Sequence, residues 1–364
     1  MGELRYGIIG SGMMGIEHLL NISHVPGATV TAIADPHGGS RDWARDAADA
    51  FVPDAEFEAF TNHGELLESG LCDAVVIATP NMTHHDVLLD VLATPHHVLV
   101  EKPLCTTVAD CRDVIDAAAG REQVVWVGLE YRYMPPVSRL IRSVHDGEIG
   151  RLHMIGIREH RFPFLRKIKD WNRFNRNTGG TLVEKCCHYF DLMNHIAAAG
   201  DAGIRPVRVM ASGAQDVNHL DESYDGEVPD IIDNAMAIVE FDNGVRASLD
   251  LCMFAEASTN AEELSVVGDA GKAEAFLPSK EFRIGARADG KDSVRSETVT
   301  DERVQWEGFH HGSSYLEHLD FRDACLAGSA PAVSLDDGLW SVAVGVAAQR
   351  SIAEHRVVEL AEVL

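Results

Sequence analysis

Glu184, His188, Asp191 and His195, in the stretch NTGGTLVEKCCHYFDLMNHI, recur at intervals of four, three and four residues, so a helix would bring them to one face. A histidine one turn from a carboxylate suits proton transfer. His188 would take the proton of a substrate hydroxyl, while Glu184 orients the ring or stabilises its charged form. A shared metal ion is a poorer reading. A rise of about 1.5 Å per residue separates Glu184 from His195 by about 16 Å, and no third obvious ligand accompanies Glu184 and His188. A solvated face with a satisfied histidine is the alternative without chemistry. Lys102 poses a similar choice. In EKPL, Glu101 to Leu104, a charged pair closes an apolar run at the strand end where open α/β sheets bind their ligands. A partly desolvated lysine there would donate or relay a proton; otherwise Glu101 and Lys102 form a surface pair.

These groups need elements that hold the reactants. GIIGSGMMG, Gly7 to Gly15, carries glycines at 10, 12 and 15, the GxGxxG spacing of a tight turn, a close backbone approach and close helix packing. The apolar LRYGIIG before it reads as a strand. Met13 and Met14 open a helical stretch whose free N–H groups favour a pyrophosphate. Asp35 closes the next strand, TVTAIAD, about twenty residues after Gly15, where a carboxylate accepts ribose hydroxyls and repels a 2′-phosphate. NAD is therefore expected over NADP, although Arg41 and Arg45 stand close enough to hold a phosphate.

From Arg5 to about Arg132, short apolar runs alternate with helix-period segments, the pattern of βαβ units around a parallel sheet buried on both faces; DAVVIATP, HVLVEKP and QVVWVGLEY supply its later strands. After Gly150 the strands lengthen and alternate: RLHMIGIREHRF, IRPVRVMASGAQD, DNAMAIVEF and VRASLDLCMF, the last two flanking a DNG hairpin turn. ELSVVGDAGKAEAFL adds a further strand pair, and Ser334 with two aspartates marks a helix start near the end. The expected fold is α/β, with a doubly wound dinucleotide-binding domain over 1–132 and an α+β domain with an open, mainly antiparallel sheet over 133–364. An uncovered sheet face implies a homodimer or homotetramer.

Charge narrows the partners. With 31 Lys+Arg against 57 Asp+Glu, the net charge of −26 argues against nucleic acid, and the densest cationic stretch, Arg161 to Arg176, suits a small-anion or sugar loop better. Seven irregularly spaced cysteines read as reduced thiols. The N-terminus lacks the zones of a secretory signal, and no apolar run is long enough to span a bilayer. A cytoplasmic protein with a small-molecule substrate is expected.

GIIGSGMMG, the strand-end Asp35, ATPN (Ala78, Thr79, Pro80, Asn81), EKPL, and a glycine-led helix bearing a carboxylate four residues before a histidine together resemble the Gfo/Idh/MocA family, the relatives of glucose–fructose oxidoreductase and inositol dehydrogenase. The resemblance covers nearly the whole chain. It implies a Rossmann domain followed by an open-sheet domain used in oligomerisation. Lys102 and His188 become the catalytic pair, with Glu184 where the family has Asp and Cys186 where it has Gly. It also extends the NAD contacts from the glycine loop and Asp35 to ATPN, His84, Glu101 and Lys102. The reaction implied is oxidation of a secondary hydroxyl of a sugar, glycoside or cyclitol. Candidate substrate contacts are Tyr131, Arg132, Trp171, Arg173 and His188, with Glu130, His310 and His311 behind them. Two other activities fit the same residues: a glycoside hydrolase or eliminase working by transient oxidation on bound NAD, and a sensor of NAD or sugar without turnover.

Overall fold

The computed structural model describes residues 2–201 and 203–364, which form two compact units. The first runs to Tyr133 and takes in Glu302–Leu339; the second comprises Met134–Asp301 and Trp340–Leu364. The division at 132 and 133 expected from sequence leaves Glu302–Leu339 in the second half, whereas the structure returns it to the first unit.

The first unit is built on strands β1 (Leu4–Ile9), β2 (Ala28–Ala34), β3 (Glu58–Phe60), β4 (Ala74–Ile77), β5 (His97–Glu101) and β6 (Val125–Gly128). All pair in parallel, in the order β3-β2-β1-β4-β5-β6. Helices α1 (Met13–Ser23), α2 (Gly38–Phe51), α3 (His63–Glu68), α4 (His84–Leu92) and α5 (Val108–Ala118) connect them. β4 is wholly buried, as continuous Val and Ile character demands of a parallel strand covered on both faces. Asn62 caps α3 by accepting from the Glu65 N–H and Thr107 caps α5 by accepting from that of Asp110, contacts worth about 1 kcal/mol each. The three-residue β3 is too short to show a period in the sequence.

The returning segment joins this unit through polar contacts. The Phe309 N–H donates to buried Glu17 at 2.8 Å, and a Cβ on Gly308, held at φ +53, would sit 2.1 Å from the same carboxylate. Trp126 Nε1 donates to Glu317 at 3.0 Å, and Arg132 pairs with Asp337 at 2.9 Å. Sequence alternation cannot register such contacts, which join positions hundreds of residues apart.

The second unit has the sheet β14-β13-β12-β11-β7-β10-β9-β8-β15. Its strands are β7 (Leu152–His160), β8 (Pro206–Ala214), β9 (Asn234–Phe241), β10 (Arg246–Cys252), β11 (Glu262–Gly268), β12 (Gly271–Leu277), β13 (Glu281–Ala286), β14 (Arg295–Thr298) and β15 (Val358–Glu359). All pairs are antiparallel except β7 with β10. Gly244, at φ +85, turns the DNG hairpin between β9 and β10. Its helices are α6 (Pro135–His145), α7 (Asn175–Thr178), α8 (Thr181–Glu184) and α9 (Cys187–Ala197); α10 (Ser313–Ala327) belongs to the first unit, and α11 (Leu335–Glu354) starts on a reciprocal Ser334–Asp337 cap. α6 packs on β11 to β13 and α9 on β7. Along β9, buried Ala235, Ala237 and Val239 alternate with exposed Met236 and Ile238, so the opposite face is open.

On the covered face Glu159 of β7 lies directly across from Glu262 of β11. Two carboxylates opposite one another repel. Glu159, fully buried, is answered by Lys185 at 2.9 Å and Arg161 at 3.2 Å. Burial, with Glu159 nearby, pushes Glu262 up to about 7 although Lys185 and Arg161 pull it down. A carboxyl raised in the fold from an unfolded value of 4.5 contributes stability fully below that pH, and the contribution disappears as pH rises through about 7. The second unit should therefore melt several degrees lower at pH 8 than at pH 5, and Glu262→Gln should flatten that dependence, since ~1 kcal/mol moves a unit of this size by about 2–4 °C. Calorimetry of both forms at the two pH values checks this; parallel curves would remove Glu262 as the cause.

Candidate active site

The glycine turn is set by contact distances. Gly10 lies at φ +92 with its N–H on the Ala34 carbonyl, and a Cβ there would meet the Ala78 carbonyl at 2.7 Å. A Cβ on Gly15 would lie 2.0 Å from the Gly10 oxygen, so only glycine lets α1 begin directly against the turn. Gly12 differs: a Cβ there meets nothing within 4 Å. The protein's own packing does not require glycine there, and the space outside the loop is open to a ligand. Met13 and Met14 form the first turn of α1, half-buried.

Asp35, buried just after β2, accepts the Ser11 N–H at 2.9 Å and that of His37 at 2.8 Å. One bond on each carboxylate oxygen leaves lone pairs for hydroxyl donors. The Arg41 guanidinium donates to the Asp35 carbonyl and is thereby anchored on the strand end. Ser11 Oγ and Asn81 Nδ2 are buried and meet no hydrogen-bond partner among the described residues. Buried polar atoms of this kind call for a partner. One lies in the glycine loop and the other in ATPN, the two segments expected to line a dinucleotide.

Thr79 and Pro80 are half-buried, and the Ala78 N–H is held by the Ile9 carbonyl. His84 follows at the head of α4, its Nδ1 2.8 Å from the Pro103 carbonyl and its Nε2 3.0 Å from that of Thr79. Burial lowers its pKa against the pull of those carbonyls. With both nitrogens engaged, His84 ties the ATPN loop to the EKP loop. Lys102 is half-buried, and Glu101 is buried, which removes the alternative of an exposed pair. Glu130, Tyr131 and Arg132 are buried after β6; the Arg132 guanidinium pairs with Asp337 and donates to the Ala332 carbonyl, and His310 stands 3.8 Å from Glu130.

In the second unit, Gly179 and Gly180 lie at φ +78 and +93 and introduce α8. The continuous helix expected from Glu184 to His195 is broken: α8 ends at Glu184 and α9 begins at Cys187, with Lys185 at the break directed to Glu159. His188, Asp191 and His195 share α9, while Glu184 belongs to the preceding turn. Glu184, His188 and Asp191 are 6, 2 and 1% exposed, so the solvated-face alternative fails. Trp171 is half-buried. Arg173 is buried, donating to Glu222 at 3.2 Å, to Asn172 and to the Phe164 carbonyl, so its guanidinium braces the cationic loop. Burial would raise Glu222, yet His219, Tyr224 and Arg173 hold its carboxyl at about 2. Lys185, Glu159 and Glu262 escaped the sequence reading. A lysine beside Glu184 in the largely buried LVEKCCHYF was their one visible signal.

Two family models match the chain. The one described as "Oxidoreductase family, NAD-binding Rossmann fold" matches residues 4–129, and "Oxidoreductase family, C-terminal alpha/beta domain" matches 141–360. The chain belongs to the Gfo/Idh/MocA family of oxidoreductases. It is 28% identical to the myo-inositol 2-dehydrogenase of Thermotoga maritima over 99% of this chain and 100% of that protein. It is 24% identical to the scyllo-inositol 2-dehydrogenase (NAD(+)) of Bacillus subtilis, over 98 and 96%. A levoglucosan dehydrogenase solved as a complex with NADH and levoglucosan has the same fold, with a TM-score of 0.84 at 21% identity, covering 98% of this chain and 99% of that one.

As in any Gfo/Idh/MocA Rossmann domain, the first unit carries the NAD site, and its residues fit the group: open backbone at Gly12, two buried polar atoms awaiting partners, and a carboxylate with lone pairs to offer. Gly12→Ala should therefore leave the melting temperature unchanged while weakening NAD binding at least tenfold. Gly15→Ala, which clashes with backbone, should lower both. Calorimetry and NAD titration of the two variants separate the cases; full NAD affinity in Gly12→Ala would dissociate the loop from the cofactor.

Proposed function

We propose that this Gfo/Idh/MocA oxidoreductase is an NAD-dependent dehydrogenase that oxidises a secondary hydroxyl of a sugar, glycoside or cyclitol, or reduces the corresponding ketone. The observation that carries the reading is the burial of Glu184 and His188 on the glycine-led helices, in a chain whose other unit presents an NAD-binding loop and Lys102. The names of the two inositol dehydrogenases among its relatives support the substrate class. NAD, when bound, supplies the hydride acceptor. His188 takes the proton of the substrate hydroxyl, and Glu184 stabilises the imidazolium that forms. Lys102 offers its ammonium to the oxygen as negative charge develops there. Trp171, half-buried in the cationic loop, offers a ring face to a sugar, and Tyr131 lies beside the strand end that carries the first unit's ligands.

No helix among the described residues is long and apolar enough to cross a membrane, and six of the seven cysteines are buried thiols. Those thiols support a reducing, cytoplasmic setting. The open sheet face supports assembly. Met210 pairs with Ile238 across β8 and β9, Met236 follows on the same face, and all three are exposed. A homodimer or homotetramer packed sheet to sheet would cover them.

A panel of inositols, aldoses and glycosides with NAD and NADP, followed by nicotinamide absorbance, tests the activity. NADH should accumulate in step with the ketone, with NAD preferred. A cleaved glycoside without NADH accumulation would establish the transient-oxidation hydrolase instead. His188→Ala should reduce the rate on the order of 100- to 10,000-fold with NAD affinity retained, and kcat/KM of the unmodified enzyme should fall at low pH as the base takes a proton. Near-full activity of His188→Ala would overturn the mechanism. Sedimentation should find a dimer or tetramer that Ile238→Glu dissociates; a monomeric unmodified protein would rule the assembly out.

A further inference from the structure

The first unit holds a chain of buried polar groups that this mechanism does not use. Glu101 closes β5, immediately before Lys102, and its Oε1 lies 2.8 Å from His18 Nε2, on α1. The other carboxylate oxygen accepts the Lys102 backbone N–H at 3.1 Å. His18 Nδ1 lies 2.8 Å from His318 Nε2, on α10, and the two rings meet edge to face, 5.1 Å between centroids. His18 is 1% exposed and His318 is fully buried, with Tyr6 against its ring.

The protons in this chain are constrained. Burial would raise the Glu101 carboxyl, but the bond and charge of His18, with Lys102 and His310, hold it at about 2. Glu101 is therefore an anion, and its Oε1 accepts the hydrogen bond from His18 Nε2. Burial, with the charge of His18, drives His318 well below its usual value, so it stands neutral. The remaining nitrogen of His18 meets His318 Nε2, so one hydrogen bond joins the two imidazoles behind the carboxylate. The other titratable groups facing Glu101 are His84 from α4 and Glu317 from α10. Burial, reinforced by the charges of Glu130 and Glu101, raises Glu317 well above the carboxylate range, so it adds no second anion.

An ionised carboxylate held by a buried imidazole on one oxygen and by the lysine's own backbone N–H on the other is a costly thing to bury for structure alone. We propose that His18 and Glu101 are positioning residues for Lys102: the chain His318–His18–Glu101 fixes a carboxylate beside the lysine and keeps its side chain in the ammonium form that supports a developing oxyanion. The proposal rests on the reading of Lys102 as part of the reaction. It makes α10, from the returning segment, a contributor to chemistry in the first unit. Ligand contact is not required of either histidine; both act through Glu101.

The test has a direct readout on Lys102. In the NAD-free chain, the pH dependence of Lys102 acylation by an amine-selective reagent, read by mass spectrometry of its peptide, reports when the ammonium loses its proton. Glu101→Gln should move that midpoint down by about one pH unit, the usual effect of removing an adjacent opposite charge. His18→Gln, which keeps a donor but not the imidazole, should move it in the same direction by less, and the double variant no further than Glu101→Gln. The alkaline limb of kcat/KM should shift in parallel. If Glu101→Gln does not fold, His18→Gln and His318→Gln carry the test, with the second expected to move the midpoint least. An unmoved midpoint in the folded variants, with additive losses of kcat alone, would overturn the proposal and leave the chain a structural clasp. If the midpoint moves while Lys102→Ala retains near-full activity, the network stands and the catalytic reading of Lys102 fails.

Discussion

A carboxylate removed from water has to be met by a cation or by donors, and each unit is arranged around one that is. In the first, Glu101 sits at the end of a central strand and draws His18 from α1 and, through it, His318 from α10. In the second, Glu159 on β7 draws Lys185 from the break between α8 and α9, and Arg161 from the end of its own strand. The Glu101–His18 and Glu159–Lys185 pairings each leave the sheet next to a residue proposed for the reaction: Lys102 follows Glu101, and Glu184 precedes Lys185. The electrostatics that hold the elements together thus also fix where the side chains proposed for the reaction start from.

The cofactor side obeys a different constraint, the distance of closest approach between backbones. Gly10 and Gly15 are required by the protein's own carbonyls, whereas the space over Gly12 is open. The same loop is pinned from behind by the bond from the Ser11 N–H to Asp35, so the carboxylate that would receive ribose hydroxyls also sets the loop's position. The proposed NAD contact and the local fold therefore share one side chain. Arg41, which the sequence also offers as a phosphate ligand, donates to the Asp35 carbonyl.

The proposed substrate side is where the resemblance is least exact: Glu184 stands one methylene longer than the aspartate it leads one to expect, and Cys186 stands in place of glycine. Both lie in a segment whose backbone is interrupted between α8 and α9. Arg173, braced by Glu222, Asn172 and the Phe164 carbonyl, shapes the cationic loop from within, leaving half-buried Trp171 as the more accessible member of that pair.

Much of this was legible in the sequence. Continuous apolar runs announced the parallel strands, strict alternation the longer strands of the second sheet, and GxGxxG with a strand-end Asp35 the dinucleotide site, because each depends on local period or on side chains that backbone geometry places within one βαβ unit. The three-residue β3 and the exposed β14 carry too little pattern to be read this way. Sequence alone determined the two architectures, their order and the candidate chemistry at Lys102 and His188. Tertiary structure decided that Glu302–Leu339 belongs to the first unit, that the helix carrying Glu184 and His188 is broken, and which buried charges answer one another. Those outcomes depend on pairs such as His18 with Glu101 and Lys185 with Glu159, where burial makes an unpartnered charge too costly, and nothing local in the chain records which distant residue will supply the partner.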